Sequence, residues 1–183
     1  MFLAKVKKEL IKLKNKSWVD AKIWQDFSNF IESGKPLTKS EHNQEHLCAF
    51  FLPIHQKTQS IYLIDHIKGQ DWMPPGGHIE PLESSEETVS REYQEELGRK
   101  ISDEPIELFD LTIKPITNHP LHYCTKHYDF WYLVWVKELF NYSWDKGEFY
   151  HANWFPIETG LNKIKHNPDY KQTINKIAHE YFL

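Results

Sequence analysis

Two amphipathic stretches open the chain. Over residues 2–14, Leu3, Val6, Leu10 and Leu13 recur at helical spacing with lysines between them. A second helix is predicted over about residues 18–32, stopping near Ser33-Gly34-Lys35-Pro36. From residue 47 the period changes. Leu47 to Leu52 is a short apolar run that stops at Pro53, and Ser60 to Asp65 is another, carrying Ile61, Leu63 and Ile64. Ile106 to Lys114 alternates, Tyr128 to Val136 is almost continuously apolar and aromatic, and Phe149 to Phe155 is a last strand candidate. Two helices stand among these strands. One spans 84–97. The other begins at Asn167-Pro168, read as a cap followed by Pro at the first helical position, and continues through Tyr170, Ile174, Ile177 and Tyr181 on one face. The order of strands, helix, strands, helix behind a helical extension predicts an α/β (α+β) sandwich with a mixed sheet. The extension is placed at 1–40 and the main domain at 41–183.

Composition excludes several alternatives. The 183 residues suffice for one domain with a real core. The net charge of −4 gives no global case for nucleic-acid binding. No stretch approaches the roughly 18 apolar residues of a membrane span, and no apolar run follows the lysines at 5, 7 and 8 as a secretory signal would require. A basic amphipathic start could suit a membrane surface, but a packed helical extension is the preferred reading. Two cysteines, Cys48 and Cys124, make no disulfide framework and point to a reducing, cytoplasmic setting. Aromatics make up 15% of the chain, enough to fill a core or stack a flat ligand.

The chemistry concentrates between Asp71 and Gly98. Pro74-Pro75-Gly76-Gly77 breaks regular structure and lets backbone approach a ligand. Ser84 with Glu87 forms a capping box, and Gly98 suits the left-handed position that ends a helix. On that helix Glu92, Glu95 and Glu96 share one narrow face, while Val89, Tyr93 and Leu97 form the adjacent apolar stripe. Seven acids fall between Glu80 and Glu96, opposed within the span only by Arg91. Carboxylates about 6 Å apart repel by roughly 1 kcal/mol per pair near water, and several-fold more in a partly dry cleft. They also lie toward the helix C-terminus, where the helix dipole disfavours anions. Either the face is simply solvated, as charge runs usually are, or a cation compensates it. All-oxygen ligands would select Mg²⁺ or Mn²⁺ over zinc.

The segment resembles the Nudix box, G-x5-E-x7-R-E-U-x-E-E-x-G-U with U a bulky apolar residue. Gly77, Glu83, Arg91, Glu92, Glu95, Glu96 and Gly98 fill every fixed position. Three positions depart: Tyr93 is polar-tipped, Arg99 stands at the final apolar position with Ile101 as a substitute, and Leu82 sits where many relatives carry glycine. The resemblance implies a Nudix-like α/β/α sandwich and hydrolysis of a pyrophosphate bond. It implies metal binding by Glu92, Glu95 and Glu96 with the carbonyl of Gly76, and Glu92 accepting a proton from the attacking water. It further implies that Arg91 pairs with Glu83 to brace the loop; an ordinary pair with Glu95 is the plainer alternative. Such enzymes often draw another acid from outside the box, and Glu148 is the candidate, with Asp129 as the alternative.

The substrate is less legible. His119, His122, His127 and Asp129 lie close in sequence but match no zinc spacing, and no paired cysteine accompanies them. His127 and Asp129 share a strand face and could reach substrate, although a hydrogen-bonded edge histidine is the plainer reading. Similar H-x-D segments occur in some Nudix relatives. His78 could touch phosphate and Trp72 could line the pocket. The signature of NADH-specific members is absent, and Pro115, 16 residues past Arg99, is spaced as in ADP-ribose-type members. The expected substrate is a small molecule, a nucleoside diphosphate linked to another moiety, such as a nucleotide-sugar or ADP-ribose-like compound. The alternatives are a (d)NTP pyrophosphohydrolase of the house-cleaning type and a non-catalytic nucleotide-sensing domain. An isopentenyl diphosphate isomerase is disfavoured, because neither cysteine fits its site. A homodimer formed with help from the extension is a further expectation.

Overall fold

The computed structural model describes residues 2–40, 43–116 and 124–183. Among them, helices α1 (Phe2–Leu13) and α2 (Ala21–Glu32) precede strands β1 (Glu45–His55), β2 (Ser60–His66), β3 (Asp71–Met73) and β4 (Gly76–His78). Then come α3 (Ser85–Leu97), β5 (Ile106–Pro115), β6 (Lys126–Trp135), β7 (Phe149–Pro156), α4 (Ile157–Lys163) and α5 (Pro168–Phe182). The strands hydrogen-bond in the order β3-β2-β1-β6-β5, with β4 joined to β1 and β7 to β2. This is the mixed α/β architecture expected from the pattern. The chain forms two compact units, one of residues 1–50, 77–89 and 108–132, the other of 51–76, 90–107 and 133–183.

In the first unit the N-terminal helices are integral. Val6 and Leu13 of α1 and Phe27 of α2 are fully buried. Phe27 meets Tyr128 and Phe130 edge-on, both at 5.3 Å, and Trp18 stacks on Phe109 while its indole N–H donates to the Phe109 carbonyl at 2.8 Å. Lys5 pairs with Glu87 at 2.8 Å. Glu9, itself buried, accepts from the N–H groups of Ser85 and Glu86 and from the Tyr132 hydroxyl. A carboxylate from α1 thus satisfies donors at the start of α3 that no intrahelical partner can reach.

In the second unit β2 pairs antiparallel with β7 from Ser60↔Pro156 to His66↔Phe149. Phe51, Ile54, Ile61, Leu63 and Leu133 are buried, and the apolar face of α5 buries Tyr170, Ile174 and Ile177. Several details differ from the sequence expectation. The first strand runs through Pro53 to His55: proline costs one ladder donor, and Ile54 beyond it still pairs with Ile61 and accepts from Val136 N–H at 2.9 Å. Helix α2 starts at Ala21, because Asp20 caps it by accepting from Lys22 and Ile23 N–H. Helix α4 is unexpected; its sequence contains Gly160, against which Ile61 packs so closely that a Cβ would lie 2.7 Å from the Ile61 Cδ1. Asn167 does not cap α5 with its side chain. Its amide donates to Asp71 at 2.7 Å, and Asp71 also accepts from the N–H groups of Lys165 and His166, so this residue ties the entry of α5 to β3.

Two of the three departures from the box pattern, Tyr93 and Arg99, have a physical explanation. Tyr93 is fully buried, and its hydroxyl bonds Tyr142 at 2.6 Å; burial pushes its phenol up to about 12. Arg99 lays its guanidinium 3.6 Å from the Phe140 ring centroid and pairs with Glu104 at 3.1 Å, so Arg99 supplies packing itself while Ile101 stays half-buried. Leu82 adopts φ 77° and is 71% exposed, a left-handed conformation without visible packing in return. An L-residue there costs about 1–2 kcal/mol. Leu82→Gly is therefore expected to stabilise the protein by about 0.5–1 kcal/mol, once glycine's greater unfolded-state freedom is subtracted. Urea denaturation measures this, and a destabilised variant would show that the Leu82 side chain contributes more than its strain costs.

Candidate active site

The box loop and helix form as their residues dictate. Ser84 Oγ accepts from Glu87 N–H at 3.2 Å and Glu87 Oε2 accepts from Ser84 N–H at 2.6 Å, the reciprocal capping box. Gly98 ends the helix at φ 66°, and a Cβ there would meet the Ser143 carbonyl at 2.7 Å. Val89, Tyr93 and Leu97 are fully buried, and Tyr93 packs on Phe51 of β1 at 5.4 Å. That buried stripe fixes the rotation of α3 and leaves the adjacent carboxylate face where the spacing put it.

On this face Arg91 Nη1 donates to Glu92 at 2.7 Å and to Glu95 at 3.1 Å. The Glu92 side chain is 13% exposed and that of Glu95 59%. Glu96 is buried, and its Oε2 accepts from Gly76 N–H at 2.9 Å. Burial raises the proton affinity of Glu96 well above the usual carboxylate range; the charges of Glu92, Glu148 and Glu95 add to the rise and the Gly76 bond offsets part of it. Glu92 is raised as well, by burial first, with Glu95 and Glu148 adding and Arg91 opposing. Glu148, from the loop before β7, thus bears electrostatically on both helix acids. Glu83 lies in the first unit, where its Oε2 accepts from Thr88 Oγ1 at 2.9 Å and from Glu80 N–H at 3.3 Å, tightening the loop that leads into the helix.

The donor set suits a hard cation. Glu96 forms no ion pair among the described residues, so its ionised form, amid three further carboxylates, is favoured only when a cation joins them. Oxygen-only donors match Mg²⁺ or Mn²⁺.

The residues expected at the substrate fall in different settings. Trp72 lines an open cleft with Thr159, Asn162, Lys163 and Lys165; it meets Phe155 edge-on at 5.0 Å, and the Lys163 ammonium lies 5.7 Å from its ring. Asp129 is fully enclosed and accepts from Thr112 Oγ1, which in turn receives the Trp131 indole N–H at 2.8 Å. His78 and His127 join His46, with ring centroids 4.8–5.3 Å apart. His119 and His122 lie outside the described residues. Sequence reasoning does not single out His46 or Cys48; the signal available was their i, i+2 spacing on one strand face.

The sequence profile of the NUDIX domain matches residues 45–177. With the complete set of fixed box residues on the observed loop and helix, the chain belongs to the Nudix family and is a pyrophosphohydrolase of that family. No curated protein sequence matches it. Solved structures share the fold. The E. coli dihydroneopterin triphosphate pyrophosphohydrolase superposes with a TM-score of 0.67 at 14% identity, over 80% of this chain and 99% of that one. The MutT protein from Methanosarcina mazei Go1 gives 0.61 at 18%, over 79% and 100%. A C. elegans Ap4A hydrolase gives 0.61 at 14%, over 73% and 96%. None of the described helices is long and apolar enough to cross a membrane.

Proposed function

We propose that Glu92, Glu95, Glu96 and Glu148, with the carbonyl of Gly76, hold Mg²⁺ or Mn²⁺ for hydrolysis of a pyrophosphate bond in a nucleoside diphosphate linked to another moiety. The observation that carries this reading is the buried Glu96 among three more carboxylates, an all-oxygen donor set that suits a divalent cation. The metal, when bound, neutralises the diphosphate and polarises the attacking water. The protein's own groups do the rest. Glu92 accepts the proton that the water loses as its oxygen bonds to phosphorus and the bridging P–O bond breaks. Arg91, at 2.7 Å, orients Glu92, and Gly76 N–H orients Glu96. Trp72 with Lys163 and Lys165 offers an aromatic face and positive charge, suited to an anionic ligand with a flat base.

The leading substrate class is nucleotide-sugar or ADP-ribose-like, on the Pro115 spacing. A (d)NTP is the second reading, favoured by the triphosphate named for the E. coli structure that shares the fold. Values of kcat/KM measured with Mg²⁺ for ADP-ribose, a nucleotide sugar and the four dNTPs separate them. The expected result is at least about a tenfold advantage for the first two, the size of discrimination that a few pocket contacts supply. The reverse order would select the triphosphate reading. Binding without turnover would select a nucleotide-sensing domain.

A further inference from the structure

We propose that His46, Cys48, His78 and His127 form a second metal site, a four-ligand site for Zn²⁺ that shares no residue with the carboxylate cluster. One ligand atom from each of these side chains lies within 4.8 Å of all the others. Tetrahedral zinc places nitrogen and sulfur ligands roughly 3.3–3.8 Å apart, from bond lengths of about 2.0–2.3 Å, so closure needs side-chain shifts of about an ångström. Three imidazoles and one thiol form a complete set for a borderline-soft ion and are ill suited to Mg²⁺.

The backbone explains how they meet. His46 and Cys48 stand two apart on β1 and project to the same face. Strand β4 is bonded to β1, and Ile79 N–H donates to the Leu47 carbonyl at 3.1 Å, which sets His78 against the segment between His46 and Cys48. Strand β6, the other neighbour of β1 in the sheet, supplies His127. Two polar atoms point to a ligand. His46 is fully buried, and its Nδ1 faces the Asn43 carbonyl at 3.4 Å. A proton on Nδ1 leaves Nε2 as a lone pair, and that Nε2 has no hydrogen-bond partner among the described residues. The Nε2 of His127 is likewise buried without one. Burying such groups without partners is costly, and a metal ion satisfies them together. The carbonyl behind His46 is the kind of outer partner that fixes the orientation and tautomer of a metal-bound imidazole. His78 and His127 are only half-buried, which leaves a way in.

Binding displaces the Cys48 proton to solvent as the S–Zn bond forms, so the thiolate supplies one negative charge and the three imidazoles stay neutral. With four protein ligands the site is closed and structural, a clip joining β1, β4 and β6. The test uses Co²⁺ added to the metal-free full chain in excess Mg²⁺. The expected result is saturation at about one equivalent, with the visible bands of tetrahedral Co²⁺ and a near-ultraviolet thiolate-to-cobalt band, both displaced by Zn²⁺. Cys124→Ala is expected to keep the thiolate band and Cys48→Ser to lose it. Absence of that band in the wild type, or its loss in Cys124→Ala, overturns the proposal, and neither result depends on whether Cys48→Ser folds. Hydrolytic activity plays no part in this readout.

Discussion

Glu95→Gln is expected to lower Mg²⁺-dependent pyrophosphate hydrolysis by about 10³-fold or more while leaving the fold intact. The two halves of this expectation come from different observations. Glu95 belongs to the carboxylate face with Glu92 and Glu96, and its charge adds to the raised proton affinity of both. Its side chain is also 59% exposed, so replacement leaves no cavity. What the fold loses is one exposed pair with Arg91, and such pairs contribute about 0–1 kcal/mol. Circular dichroism and thermal melts should therefore match the wild type while turnover collapses. If the variant turns over at near-normal rates, Glu95 is a solvated surface acid and the proposed site is wrong.

Phe27→Ala is expected to cost about 3–5 kcal/mol, a large share of the roughly 5–15 kcal/mol that holds a domain folded. Phe27 lies in the N-terminal extension yet is fully buried, edge-on to Tyr128 and Phe130 of β6. Ile11→Ala on α1 is the matched control: that side chain is 66% exposed, and its loss should change stability by less than about 0.5 kcal/mol. Urea titrations of the two variants decide the matter. Equal, small effects would mean that α1 and α2 ride on the unit as an appendage. A large difference makes them part of its core, together with the bonds from Glu9 to the start of α3.

These two residues also mark what sequence makes legible. Local rules were sufficient for α3. Its cap, its left-handed terminus and its buried stripe follow from Ser84, Glu87, Gly98, Val89, Tyr93 and Leu97, and each takes the predicted role. The amphipathic pattern likewise announced α1 and α2, but not that Glu9 would reach across to cap another helix, since that contact spans 76 residues of sequence. Helix α4 was hidden because Ile157–Lys163 is short, contains Gly160 and carries little apolar period. Asn167 looked like a cap because the motif is local, whereas its actual partner, Asp71, is set by tertiary packing. The cluster of His46, Cys48, His78 and His127 was the least legible feature. Its members come from β1, β4 and β6, whereas proximity in sequence groups His127 with His119 and His122.

The most direct test of the catalytic reading is phosphorus NMR of ADP-ribose and of a dNTP incubated with the full chain, with Mg²⁺ and then with EDTA. The diphosphate resonances of at least one of them are expected to give way to those of its cleavage products in Mg²⁺, and chelation is expected to stop the reaction. Persistence of both substrates in Mg²⁺ and Mn²⁺, or cleavage undiminished by EDTA, would contradict that reading.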